Sequence, residues 1–534
     1  MIKTKEEKTK KKISAAFDFF KTVLIYLLTA SMLIFAGVYI NNLQNIGQIS
    51  EIPWEKRSVF EIGGAVIKSE INENHIDPLQ ITVTVENNSF TYIYSNNLIS
   101  DIYDGFVKYS IRGIFNKNSE CQRLGKEEGE KLWSKCAKEE NSVYIKYAGN
   151  YLYPVIYAFL DKTWDIRDSA DAFSNNKELA MVHELFIVDE APVYGVAKDI
   201  DGNISVFMPE TDTGIIIKGY INTPNLLAYN NIAGVIPCEL LKGGDINSKT
   251  GSNGNNIKNL AFPETFHLSD NHSFPTYSPE LKFSNPVIDE ENNINTEQNI
   301  IKDLFKILNF NIESSLPYSD TESITFVDEK NTVSFSDNGR IIYSCSNSPG
   351  ETGGIHLSKF LGYDADYTFY EKIKAASVFA GSIDRGLTGN ECNIYLKNIT
   401  ADSNGSLTII FSYYYEGINI KINGRDEGIV VAINQNSITE VKINSLYLSS
   451  QGIKKNMNPI VILGGMDEEI SRDISDNNYK GENYKEDIAR KYKLVYDKIK
   501  DKFIVNGFEL IYNINYADNG GETNNTVQAF WGIK

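Results

Sequence analysis

The sequence predicts an α+β protein in which one N-terminal transmembrane helix is followed by a multi-domain ectodomain of antiparallel sheets with packed helices. Three observations predict it. The stretch from Thr22 to Ile40 carries no charged residue. At about 1.5 Å of rise per residue it covers the roughly 30 Å hydrocarbon core of a bilayer. Beyond it, short apolar–polar alternating segments are punctuated by turn pairs such as Asp201-Gly202 and Asn423-Gly424, which marks strands and hairpins. Between them lie segments whose apolar residues recur at spacings of three and four, the stripe of a packed helix.

This divides the chain into a basic cytoplasmic tail (1–21), the transmembrane helix (22–40), a connector (41–56), a membrane-proximal α+β region (57–242) with room for two subdomains, an Asn/Pro/Gly-rich linker or long loop (243–299) and a C-terminal α+β region (300–534). The tail has seven lysines against Glu6, Glu7 and Asp18, a net +4. Lysine and arginine are retained on the cytoplasmic side, so the C-terminal bulk is expected outside the cell membrane. A cleavable signal peptide is the rival reading, but its apolar core is shorter and ends in small residues at a cleavage site. Here the run continues through Phe35-Ala36-Gly37-Val38-Tyr39. Tyr26, Ala30, Leu33 and Gly37 share one face of that helix and form a candidate seam for another membrane helix, because small residues allow close approach.

The whole chain carries −18, so the part beyond the +4 tail carries −22. Nucleic-acid binding is disfavoured, since it relies on cations that neutralise phosphates. Of the five cysteines, Cys121 and Cys136 stand 15 apart and are the one local pair, while Cys238, Cys345 and Cys392 have no neighbour. A disulfide framework is not expected.

In order, Ile81–Val85 and Phe90–Tyr94 read as a hairpin around Asn87-Asn88, and Ile99, Ile102, Phe106, Tyr109 and Gly113 as the buried stripe of a helix. A helix over Glu127–Ala137, a strand over Ser142–Tyr147 and a helix over Leu152–Phe159 follow. Strands are expected at Glu184–Val188, Pro192–Ala197, Asn203–Phe207 and Gly214–Lys218. The C-terminal region opens with a helix at Asn299–Asn309. Asp366 is the expected N-cap of a helix buried through Phe369, Ile373, Ala376, Ala380 and Ile383. Leu407, Ile409, Phe411, Tyr413 and Tyr415 then alternate on one strand face, which favours a core over a sugar platform. A charged helix at Tyr484–Ile499 and a closing strand at Val527–Trp531 complete the expected elements.

Catalytic templates find little purchase. His183-Glu184 begins like a zinc-protease motif, but Ile187 stands where the second histidine ligand is required. His267 and His272 are five apart in a loop-like segment, where solvated histidines are commoner than ligands. Asp199-Ile-Asp-Gly-Asn and Asp337-Asn-Gly resemble fragments of calcium loops without the twelve-residue ligand spacing, so hairpin turns explain them better. Gly251-Ser-Asn-Gly has neither the strand nor the helix of a phosphate-binding loop. No catalytic, cofactor-binding or metal-binding residue is assigned and no cofactor is expected.

The segment Asp366-Tyr-Thr-Phe-Tyr-Glu-Lys-Ile-Lys-Ala-Ala, the pair centred on Phe411-Ser-Tyr-Tyr-Tyr-Glu-Gly-Ile-Asn-Ile, the run Gly428-Ile-Val-Val-Ala-Ile-Asn and the aromatic strand near Trp531 resemble the YycH/YycI family. Leu304-Phe305 and Phe335–Tyr343 are similar to its turn-and-strand pattern. The resemblance implies an extracytoplasmic regulator of the cell-wall two-component system of low-GC Gram-positive bacteria, with no enzymatic activity. Its implied partners are a sensor histidine kinase, met through transmembrane and ectodomain contacts, and a paralogous regulator. The Asn-rich segment near Gly243–Asn299 and Ala529-Phe530 depart from the family pattern. The alternatives are a membrane-tethered wall enzyme or glycan-binding protein, and a scaffold in an envelope or sporulation complex.

Overall fold

The structure, a computed structural model, describes residues 75–85, 88–93, 103, 107–115, 119–137, 141–161, 180–188, 192–209, 236–237, 239–240, 260–261, 267–268, 274–277 and 299–319. It also describes 323–328, 330–336, 340–345, 353–387, 393–402, 405–415, 417–422, 424–444, 454–457, 462–466, 503–514 and 523–533. The tail, the Thr22–Ile40 stretch with Tyr26, Ala30, Leu33 and Gly37, the connector, the expected 214–218 strand and the expected 484–499 helix lie outside them. All described residues fall within one compact unit, Ile62–Lys534. Among them no helix is long and apolar enough to cross a membrane.

The first eight strands are β1 (Gln80–Val85), β2 (Asn88–Ile93), β3 (Glu120–Arg123), β4 (Ser142–Leu152), β5 (Met181–Val188), β6 (Tyr194–Lys198), β7 (Ile204–Met208) and β8 (Ile236–Pro237). They form one antiparallel sheet in the order β3-β7-β6-β5-β4-β1-β2-β8. Helices α1 (Lys108–Ile114), α2 (Lys126–Cys136) and α3 (Tyr153–Asp161) accompany it. Leu185–Val188 and Val193–Ala197 are buried without a break, which requires cover on both faces. On one face Trp133 and Cys136 of α2 pack with Tyr144, Phe186 and Val196, the Trp133 and Phe186 rings lying 4.7 Å apart. On the other face Phe207 meets Phe115 at 4.9 Å and Tyr153 at 5.1 Å.

Of the stripe expected near α1, Ile99, Ile102 and Phe106 lie outside the described residues, Gly113 is buried as expected and Tyr109 is 46% exposed. Val107, Ile111 and Ile114 are buried beside Gly113, and Tyr109, whose hydroxyl favours water, turns outward.

Four short strands, β9 (Glu239–Leu240), β10 (Leu260–Ala261), β11 (His267–Leu268) and β12 (Phe274–Tyr277), lead to α4 (Asn299–Ile307). Strands β13 (Leu316–Ser319), β14 (Ser323–Val327), β15 (Asn331–Ser336), β16 (Arg340–Cys345) and β17 (Ile355–His356) precede α5 (Ser358–Leu361) and α6 (Phe369–Leu387). Then come β18 (Asn393–Ala401), β19 (Leu407–Tyr415), β20 (Ile418–Ile422), β21 (Ile429–Asn434), β22 (Ser437–Asn444), β23 (Lys454–Met457), β24 (Phe503–Ile514) and β25 (Thr523–Ile533). Thirteen strands form a second sheet, along the path β10-β24-β20-β19-β21-β22-β16-β15-β14-β13, with β17 on β22, β18 on β19 and β25 on β24. Pairing is antiparallel except around β24, which runs parallel to β20 and β10. Two further pairs, β9 with β11 and β12 with β23, stand apart.

Here burial alternates. Val333 and Phe335, Ile341 and Tyr343, and Ile429, Val431 and Ile433 are buried, while their neighbours are half-exposed. One face of the sheet therefore carries the core. Helix α6 lies over β18, β19 and β21 and packs against α4 and α5. Ile373, Ala376, Ala380 and Ile383 face that core as expected, joined by Phe379.

Helix ends follow local chemistry. Asp366 is not the cap of α6. The cap is Thr368, whose hydroxyl accepts from Glu371 N at 3.3 Å while Thr368 N donates to Glu371 Oε2 at 2.7 Å. This is a capping box, and it starts the helix two residues later than an Asp366 cap does. Tyr363 Oη donates to the other oxygen of Glu371, which explains how a carboxylate only 5% exposed is tolerated. Thr368→Ala is expected to lower stability by about 1 kcal/mol, read as a shift of the denaturant midpoint at unchanged slope. At the end of α4, Asn309 takes φ 53°. Phe310 N donates to Phe305 O at 2.9 Å and Asn309 N to Lys306 O at 3.2 Å. The Phe305 and Phe310 rings stack at 5.1 Å, completing a Schellman motif with its apolar contact. Lys359 adds donors to the carbonyls of Lys306 and Ile307 at 2.6 and 3.1 Å.

Candidate functional site: a polar junction between two sheets

The motifs singled out by sequence resolve into structural roles. Cys121 lies on β3 and Cys136 in α2, and both are thiols rather than a disulfide. Cys136 Sγ lies 3.9 Å from Tyr194 Oη in the core beneath α2. In the Asp199–Asn203 turn, Asp199 Oδ1 accepts from Asp201 N and Asn203 N at 3.0 and 2.7 Å, and Oδ2 from Asn203 Nδ2 at 2.7 Å. Its carboxylate is consumed in closing the hairpin, which is the turn reading and not a calcium loop. Asp328 closes the β14–β15 turn the same way, accepting from Lys330 N and Asn331 N at 2.8 and 2.6 Å. Asp337, Asn338 and Gly339 lie outside the described residues, as do His272 and Gly251–Gly254; His267 lies on β11. No group of three or more metal-ligating side chains occurs among the described residues. Tyr413 is 1% exposed and belongs to the core with Phe411. Ile187 is fully buried in β5.

A cluster of polar side chains lies where β4 of the first sheet meets β18 of the second. Strand β4 pairs with β5 up to Lys146↔Glu184 and resumes at Tyr151↔Val182. Four residues, Tyr147–Asn150, therefore stand opposite the single residue His183, a large bulge that re-aims the strand. The bulge pushes Gly149 against the second sheet. A Cβ placed there would fall 2.4 Å from Lys397 O and 2.8 Å from Leu396 O, so only glycine permits this approach. Strand β18 has its own irregularity at the same place, between Leu396 and Asn398.

Side chains fasten the crossing. Tyr151 Oη donates to Leu396 O, and Gly149 N donates to Tyr151 Oη at 3.1 Å. Tyr414 Oη donates to Ala148 O at 3.4 Å. Lys397 Nζ donates to Tyr414 Oη at 3.2 Å and lies 3.8 Å from Asp426 Oδ2. Leu79, Ala148, Tyr395 and Tyr414 make its apolar floor. His75 extends the contact, its ring 5.5 Å from Phe411 and near Gly381 of α6. Burial, then neighbouring Tyr151 and Asp77, holds the Tyr147 phenol well above its ordinary range. Burial, then Tyr414, does the same for Tyr151. Both act as neutral phenols. Tyr370 of α6 is pushed up to about 12, by burial and then by Tyr153 of α3.

Sequence reasoning placed His183 and Glu184 on a strand and set aside the zinc motif, and β5 bears out the strand. It did not find Gly149, Tyr151, Lys397 or Tyr414. One signal was present: an isolated glycine inside a strand pattern, Tyr147-Ala-Gly-Asn150, marks a bulge or a close backbone approach. Nothing local tells which distant strand approaches.

The fold and its junction define an α+β protein of two large sheets whose described residues assemble a structural polar crossing and no metal cluster. No family model and no curated protein matches the chain. Among solved structures it is similar to the crystal structure of YycH from Bacillus subtilis, with 10% identity and a TM-score of 0.42 over 86% of this chain and 97% of that one. YycH gives its name to the family that the C-terminal motifs resemble. Similarity at this level leaves function to be argued from the chain's own residues.

Proposed function

We propose that the chain is a membrane-anchored, extracytoplasmic regulatory protein that modulates a sensor histidine kinase through transmembrane and ectodomain contacts. The observation that carries this reading is the order of features in the sequence. A lysine-rich tail and the uncharged Thr22–Ile40 stretch precede a large acidic α+β region, which bears the motifs resembling the YycH/YycI family. The way those motifs fold supports it. Asp366–Ala376 enters α6, Phe411–Ile420 forms β19 and β20, Gly428–Asn434 forms β21, and α6 lies over β19 and β21. They make one continuous unit, as a shared fold requires.

Such a protein needs no active site. A binding protein shifts a kinase between two states only by the difference in its contact free energies with them. Membrane contact through Tyr26, Ala30, Leu33 and Gly37 is one source of that difference. The test is cross-linking in membranes of the native host, followed by mild detergent extraction and purification of the chain. A sensor kinase is expected among the cross-linked partners, and recovery without any kinase would overturn the reading. Replacing Thr22–Ile40 by an unrelated apolar helix separates the two kinds of contact. Regulation is expected to fall while membrane insertion is kept, and unchanged regulation would assign the effect to the ectodomain alone.

A further inference from the structure

Where β17 gives way to α5, three side chains stand in sequence. His356 Nδ1 lies 2.7 Å from Ser358 Oγ and accepts from Ser358 N at 3.3 Å. A backbone N–H only donates, so Nδ1 presents its lone pair and, in the neutral ring, Nε2 carries the proton. Nε2 faces Asp364 Oδ1 at 3.7 Å. A hydroxyl thus has the basic nitrogen of an imidazole beside it and a carboxylate behind the ring, the arrangement of an activated nucleophile. One neighbouring turn fixes all three. Leu357, between the first two, is fully buried, and its N donates to Asn436 O at 2.9 Å. Gly362, at φ 80°, ends α5 and returns the chain. Asn436 Nδ2 then donates to Ala365 O at 3.2 Å, next to Asp364.

We propose that Ser358 is a nucleophilic serine that takes an acyl group from a small, uncharged carboxylic ester, with His356 as its general base and Asp364 positioning the imidazole. The Ser358 oxygen attacks the ester carbonyl while its proton passes to His356 Nδ1. The C–O bond to the alcohol then breaks, and the alcohol leaves with that proton. Water, deprotonated by the same nitrogen, splits the acyl-serine; the acid departs and Ser358 regains its proton. Each step uses only the ester and water.

The surroundings set the class of substrate. The His356 side chain is 42% exposed and that of Asp364 79%, so a small molecule reaches the hydroxyl from solvent. The Tyr367 ring, 6.1 Å from the imidazole, walls one side. Its hydroxyl donates to Tyr363 O and is also hydrogen-bonded to Ser358, so its oxygen and Nδ1 are the two acceptors open to the serine proton. Burial, then Asp364, holds the Tyr367 phenol above its ordinary range. It stays neutral, and the imidazole is the stronger base of the two. The carboxylate at the site and the net charge of −18 disfavour an anionic ester. This chemistry stands independently of any kinase contact.

The test uses the full-length, detergent-solubilised chain with two probes: an alkyl fluorophosphonate, which marks nucleophilic serines with loss of fluoride, and p-nitrophenyl acetate as the ester. The fluorophosphonate is expected on Ser358, located by peptide mass mapping, and p-nitrophenolate release is expected to exceed that of Ser358→Ala. Labelling should quicken as pH rises across about pH 5 to 8, the range in which an imidazole titrates, and then level off. His356→Gln is expected to slow labelling about a hundredfold, the low end for loss of a general base, and to flatten the profile. Asp364→Asn should slow it about threefold, as suits an exposed ion pair, and Asp364→Glu should restore most of the rate. No label at Ser358, or a His356→Gln rate equal to the wild type's, overturns the proposal. So does nitrophenolate release equal in the wild type and Ser358→Ala. If His356→Gln fails to fold, the wild-type profile decides alone, and a rate unaltered across that range overturns the assignment.

Discussion

Gly149→Ala is expected to destabilise the protein by about 3 kcal/mol, the upper range for forcing atoms into a packed interior. The added methyl would meet Lys397 O at 2.4 Å and Leu396 O at 2.8 Å. Both are backbone atoms of a strand already paired to β19, so they cannot rotate aside as the end of a side chain would. Relief requires β4 to withdraw from β18, which breaks the donation from Tyr151 to Leu396 and from Tyr414 to Ala148. The denaturant midpoint should fall accordingly, and hydrogen exchange at residues 143–152 should rise. Gly464→Ala, at a position with open space around it, is expected to lose nothing. If the two substitutions behave alike, the close approach at Gly149 does not hold in solution.

Phe411→Ala is expected to lose about 4 kcal/mol, in the range for deleting a large ring from a core. Phe411 is fully buried on β19, cross-paired with Leu396 of β18 and Ile429 of β21. Its ring also meets the edge of His75 at 5.5 Å. Removal leaves a cavity at the centre of the second sheet, where α6 crosses and where the segment before β1 docks. Tyr318→Ala on β13, whose ring is 59% exposed, should stay within about 0.5 kcal/mol of the wild type. Equilibrium unfolding of the three proteins side by side reads both numbers.

Several elements were legible because their signals are local. Trp133 and Cys136 sit on one face of the expected α2, and Ile373, Ala376, Ala380 and Ile383 on one face of the expected α6. The Asp199–Asn203 turn is a hairpin because its own Asp and Gly satisfy the backbone. The unbroken apolar runs at Leu185–Val188 and Val193–Ala197 signal strands, and their meaning as double cover becomes visible only with α1, α2 and α3 in place. The start of α6 was misplaced because Asp366 and Thr368 are both good caps, and a buried glutamate at the third helical position selects Thr368. In α1, Gly113 is buried as expected, while Tyr109 faces out because the neighbouring Val107, Ile111 and Ile114 offer aliphatic side chains at helical spacing.

By itself the sequence determined the α+β class, the antiparallel strand character of most segments, the turn chemistry at Asp199 and the absence of a complete zinc motif at His183. Each follows from residues within a few positions of one another, where backbone geometry and periodicity act directly. Only the tertiary structure decided that β24 runs parallel to β20, that β4 bulges opposite His183, and that Gly149 touches a strand nearly 250 residues further along the chain. Those contacts arise because two sheets bury apolar surface against each other. The choice among distant strands that could do so depends on the packing of the whole, which no short window of sequence encodes.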